Sequence, residues 1–172
     1  MTGATLAVIG DFLAQKREKS ENGYDEIRAL SFACFDACYR LFQTISIPLV
    51  SFYGQGRVLR PLFSMLGLGE NSIAVATATE RTILYQFCVI PFIYYPVFFA
   101  FTGMMQGLNL KEAFERAKKS FLPCWTRNIT FWIPAQLVMF GLISDTWVIP
   151  YSCVMGIMWS TILSVTAGKA NK

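Results

Sequence analysis

The sequence contains no histidine. That absence removes the commonest general base, the commonest metal ligand and every catalytic triad built on imidazole. Charge is also scarce. Asp, Glu, Lys and Arg supply 15% of the 172 residues, against roughly 25% in a soluble domain. A chain of this length makes one ordinary domain, so a larger core cannot explain the shortfall. The acids Asp11, Asp36 and Asp145 are spread along the chain with no paired-carboxylate spacing. The five cysteines, Cys34, Cys38, Cys88, Cys124 and Cys153, are odd in number and follow no disulfide framework. Cys34 and Cys38 share a helix face, but no second pair completes a tetrahedral metal site; all five read as small apolar packing residues. Gly67-Leu68-Gly69 is too short a glycine motif for a phosphate loop. Net charge is +4, and the bases lie scattered among apolar runs, a poor pattern for a nucleic-acid surface. Met1 to Ala14 is apolar but lacks a basic n-region and contains Asp11, which argues against a secretory signal. There is no internal repeat and no low-complexity segment. An intramembrane hydrolase built on Asp11 and Asp36 is the one catalytic arrangement left, and an enzyme is the weakest reading.

What is abundant is apolar and aromatic surface. Hydrophobic residues make up 54% of the chain, with fifteen Phe, seven Tyr and four Trp. From Asn128 to Ser164 two apolar runs are separated only by Ser144-Asp145-Thr146. A transmembrane helix needs about 20 mostly apolar residues, and two such runs joined by a short polar break read as a membrane hairpin. Upstream, an apolar stretch over 29–53 is interrupted by Asp36 and Arg40, four apart on one helix face. Pro48 is expected to bend or end that helix. Residues 54–69 read as a glycine-rich connector. A long helical signal over 73–105 passes the interfacial pair Glu80 and Arg81 and contains Pro91 and Pro96, which predicts a kinked span. Residues 109–121 form an amphipathic pattern, with Asn109 and Glu112 spaced as a capping box.

The expected architecture is therefore all-α: an integral membrane bundle of four main spans, at about 29–53, 73–105, 123–143 and 147–165. A short N-terminal helix over 2–15 and an interfacial amphipathic helix over 109–121 complete it. Lys16, Arg17, Lys19, Arg28, Lys111, Arg116, Lys118, Lys119, Lys169 and Lys172 then share one side, against Arg57, Arg60 and Arg81 on the other. The richer side faces the cytoplasm or its topological equivalent. The polar residues set in apolar surroundings are Asp11, Gln15, Asp36, Arg40, Gln86, Asn128 and Gln136. They are candidates for interhelical contacts or for lining a pore.

The residues also carry a resemblance. Pro123, Asn128, Trp132, Gln136, Phe140, Trp159, Leu163 and Ser164 fall in order without a gap. Gly10, Asp11, Ala14 and Gln15 form a Gly-Asp-x-x-Ala-Gln motif, and Gln86 has Pro91 five residues later. In these positions the chain resembles the Mpv-seventeen/peroxisomal-membrane-protein family, small four-span proteins of the mitochondrial inner membrane and the peroxisome. The resemblance implies a proposed small-solute channel. This chain departs from the family pattern at Tyr85, where the family has Asp, and at Met139, where it has Asn. Ile133, Ser144 and Val148 are further departures. Where a polar or charged residue is clearly replaced, the newcomer is apolar or aromatic, and a water-filled pore would need polar ones. The leading expectation is thus a non-enzymatic accessory subunit of a mitochondrial inner-membrane assembly, of the respiratory chain or ATP synthase. A small-solute channel of the inner mitochondrial or peroxisomal membrane is the alternative. Expected partners are membrane lipids and other membrane subunits, with no nucleic acid. No cofactor is expected beyond bound lipids such as cardiolipin.

Overall fold

A computed structural model describes residues 12, 25–67 and 72–168, with side chains followed to residue 162. The expected helix over 2–15, and with it Gly10, Asp11 and Gln15, lies outside the described residues. The rest is helical, with no strand among the described residues. Helix α1 is Glu26–Tyr53, α2 is the short Arg60–Met65, and α3 runs Ser72–Met105. Helix α4 is Leu110–Gly141 and α5 is Asp145–Gly168.

Each start has a local cause. The Asp25 carboxylate accepts from the Arg28 N–H at 2.9 Å, and Glu26 places negative charge at the positive end of α1. At α4 the Asn109 side chain accepts from the Glu112 N–H, and Glu112 accepts in return from the Asn109 N–H. The expected capping box is therefore present. The sequence placed an amphipathic helix and a span on either side of Pro123. The structure runs them together as one 32-residue helix through both Pro123 and Pro134. A proline removes one intrahelical N–H, at a cost of about 3 kcal/mol in an isolated helix. Here α4 packs against both ends of α3 and against α5, and tertiary burial offsets that cost. Pro48 likewise does not end α1, which continues to Tyr53. The kink expected in α3 takes another form. Tyr85–Tyr94, containing Pro91, is wound as a wide π-helix between two α-helical stretches. Such wide turns accommodate an interrupted hydrogen-bond ladder and are frequent at functional sites.

Helix α1 lies on the C-terminal part of α3, and α2 lies on its N-terminal part. Their shared core is aromatic: Phe35 meets Phe98 edge-on at 5.1 Å and Tyr94 at 5.2 Å. Tyr95 and Phe99 are buried between α3 and α4. Close approach of α3 to α4 depends on Gly103, because a Cβ there would come within 2.9 Å of the Ala113 Cβ. The outer faces are greasy. Leu41 and Ile45 of α1 and Phe92 of α3 are each more than two-thirds exposed. Among the described residues, α3 is the one helix long and apolar enough by composition to cross a membrane.

Candidate functional site

Buried polar side chains converge where α1, α3, α4 and α5 meet. Arg40 is the hub. Its Nη2 donates to Asp36 Oδ1 at 3.1 Å and its Nε to Asp36 Oδ2 at 3.3 Å. Its Nη1 donates to Gln43 Oε1 at 2.9 Å, and at 3.4 Å to both the carbonyl and the hydroxyl of Ser152 on α5. Helix α5 admits the guanidinium because Gly156 has no side chain: a Cβ there would collide with Arg40 Nη2. Further along α1, the Ser46 and Tyr85 hydroxyls meet at 3.1 Å, and Tyr85 also meets the Tyr39 hydroxyl at 3.1 Å. Trp159 on α5 donates to the Tyr94 hydroxyl at 3.3 Å. On the α3–α4 side, Gln86 Nε2 donates to Gln136 Oε1 at 2.9 Å, both residues being buried.

These groups enclose a central cavity of about 30 Å³, whose walls include Asp36, Arg40, Tyr85, Asn128, Trp132, Gln136, Met139 and Trp159. That is space for two or three water molecules at most. Among the described residues a bonded network surrounds this small space.

The structure thus brings together five of the seven polar candidates: Asp36, Arg40, Gln86, Asn128 and Gln136. Among the family-motif positions, Trp132 and Trp159 join them. Phe140 packs at the edge of the core and walls a separate notch with Thr44, Arg81 and Asp145. Pro91 and Pro123 sit inside helices. Leu163 and Ser164 lie on α5, beyond the described side chains. Gln43, Ser46 and Ser152 were missed by sequence reasoning. Gln43 could have been found, being three residues after Arg40 and so on its face. Ser152 and Gly156 form a small-residue pair four apart, a pattern that lets helices approach closely. Among the described residues no trio of His, Cys, Asp or Glu comes together to hold a metal.

A sequence profile of the Mpv17 / PMP22 family matches residues 103–164, which carry Asn128, Trp132, Gln136 and Trp159 of this site. Protein sym1 of Schizosaccharomyces pombe (strain 972 / ATCC 24843) is 25% identical over 171 residues, spanning 96% of this chain and 81% of that protein. Over residues 103–164 the chain is similar to the Mpv17 / PMP22 family. No solved structure matches it. Two of the positions where the chain departs from the resembled pattern, Tyr85 and Met139, are walls of the central cavity.

Proposed function

We propose that this chain is a non-enzymatic, multi-pass protein of the mitochondrial inner membrane that serves as an accessory subunit within a larger membrane assembly. The closed centre of the bundle carries this reading: about 30 Å³ of space, spanned by the Asp36–Arg40 pair and filled by Tyr85 and Met139. In this reading α1, α3, the second half of α4 and α5 are the four spans. A 32-residue α4 is about 48 Å long, well beyond a hydrocarbon core of about 30 Å. Its amphipathic first turns therefore rest at the headgroup level. The apolar outer faces of α1 and α3 meet lipid and neighbouring subunits. The mitochondrial setting follows from the family resemblance, with the peroxisomal membrane as the alternative; the respiratory chain or ATP synthase is the proposed host, which the resemblance does not name.

Gentle solubilisation followed by native electrophoresis is the direct test. Migration within a large complex supports the proposal; migration as a free monomer removes it. A second reading, a small-solute channel, draws on the ionisable pair inside the bundle, a placement typical of solute pathways. Reconstituted alone, the accessory subunit shows no conductance. A channel held shut by its own side chains would open on Met139→Asn with Tyr85→Ser, which remove the two bulky walls. Asp36→Ala should abolish conduction in a channel and weaken assembly in a subunit.

A further inference from the structure

We propose that the notch between α1, α4 and α5, at the end of the bundle where α4 turns into α5, holds a phospholipid whose headgroup carries a primary ammonium beside its phosphate. This site rests on the membrane reading above. The notch has a volume of about 360 Å³, within the range of roughly 300–1,000 Å³ found for small-molecule sites. Helices α1 and α5 are bridged where Arg40 reaches Ser152. Further towards this end both line the notch, α1 with residues between Thr44 and Ser51 and α5 with residues between Asp145 and Ile149.

Two kinds of wall meet there. Ile47, Phe140, Ile143 and Ile149 supply hydrocarbon, while Arg81 and Asp145 supply one charge of each sign. Neither charge belongs to an ion pair among the described residues; the pairs described join Asp36 to Arg40 and Glu115 to Lys118. The acid next to Arg81 is Glu80, which is engaged with the backbone N–H groups of Gly56, Val58 and Leu59. Arg81 is itself held in place by its Nε, which donates to the Gly54 carbonyl at 3.1 Å. Asp145 opens α5 and is exposed. A cation and an anion thus line the same notch without meeting each other.

The ligand that suits these walls carries both signs of charge at one end and hydrocarbon behind them. A guanidinium binds a phosphate diester through paired N–H···O bonds. A carboxylate accepts from a primary ammonium, which has three N–H donors; a choline headgroup bears the same charge without a donor. An acyl chain covers the apolar walls, which a small polar solute would leave bare. The depth agrees as well. Ser51 and Asp145 lie at the ends of α1 and α5, whereas Ile47 is one turn further into the bundle. Charge therefore sits towards the headgroups, with apolar wall beneath it.

The test uses the full chain in nanodiscs of phosphatidylcholine with a trace of probe lipid that carries a photoreactive diazirine in its acyl chain. The probe headgroup is ethanolamine, choline or glycerol, and labelled residues are mapped by peptide mass spectrometry. The ethanolamine probe should label residues 143–149 about tenfold more than either other probe, the preference that one charge-assisted hydrogen bond supplies. Leu41 and Ile45, on the outer face of α1, should be labelled equally by all three. Asp145→Asn should bring the ethanolamine probe down to the choline level in the notch, and Asp145→Glu should keep the preference. Ile149→Trp, which fills the notch, should abolish labelling there and leave Leu41 and Ile45 unchanged; it decides the matter if the Asp145 variants do not fold. Three outcomes overturn the proposal: no preference for the ethanolamine probe in the notch, a preference that survives Asp145→Asn, or a segment of a copurifying subunit crosslinked there in place of lipid. Label at Leu41 and Ile45 with none in the notch removes this site and leaves the membrane reading standing; label at neither removes both.

Discussion

At the scale of single residues, the centre of this molecule is decided by a side chain and by the lack of one. Arg40 reaches across from α1 to α5 only because Gly156 leaves it room. Gly156→Ala should push the guanidinium out of its place, loosening its bonds to Asp36, Gln43 and Ser152 together. Overpacking of this kind costs about 1–3 kcal/mol, read as a lower unfolding midpoint in detergent. The same substitution in an Arg40→Leu background should cost much less, because the colliding group is gone; equal costs in both backgrounds would show that Gly156 serves something other than Arg40. This pairing was half legible from sequence. Asp36 and Arg40 announce themselves as charges in an apolar run, and their spacing makes them partners. That the partnership extends to Ser152 was not legible, because 112 residues separate the two and the sequence does not fix how α5 is rotated about its axis.

At the scale of elements, two contacts join what the sequence leaves separate. Gln86 and Gln136 dock α3 on α4 through one buried hydrogen bond. Gln86→Leu alone strands the amide of Gln136 and should cost about 1–3 kcal/mol. Adding Gln136→Leu should recover most of that loss, and a double-mutant cycle with no coupling would show that the bond does not hold these helices together. The second contact ties the connector to α3. The Glu80 carboxylate accepts from the backbone N–H groups of Gly56, Val58 and Leu59 at 2.6–2.8 Å, and Arg81 Nε donates to the Gly54 carbonyl at 3.1 Å. Gly56 at φ 76° turns the chain so that these groups face the acid. Glu80→Ala should lower stability by on the order of 2–3 kcal/mol and expose Arg57 to trypsin at least several-fold faster. Unchanged cleavage would mean the loop holds its shape without the carboxylate. Sequence reading marked Glu80 and Arg81 only as an interfacial pair, and Glu80 is buried against backbone. Residues that cap or clamp carry no periodic signal, so their partners emerge only with the fold. Helix existence was far more legible, since the apolar runs fix α1, α3 and α5 to within a few residues. Pro123 misled because the penalty of a proline is local, while the packing that outweighs it is tertiary.

At the scale of the whole molecule, the distribution of exposed surface distinguishes a membrane bundle from a soluble one, and two cysteines can report on it. Cys38 on α1 and Cys88 near the middle of α3 are both exposed, whereas Cys124 on α4 is buried. Their neighbours on the outer face, Leu41 beside Cys38 and Phe87 and Phe92 beside Cys88, are exposed as well. If water bathes these faces, both thiols react as ordinary surface cysteines. If hydrocarbon bathes them, a charged reagent has no access. In sealed vesicles, a membrane-impermeant maleimide should therefore leave Cys38 and Cys88 unmodified, although both are exposed among the described residues. Unfolding in ionic detergent should then label both, along with Cys124. Rapid labelling of Cys38 and Cys88 in intact vesicles would place α1 and α3 in water, and the four-span arrangement could not stand. The experiment works because geometric exposure and chemical accessibility agree in water and part company in lipid.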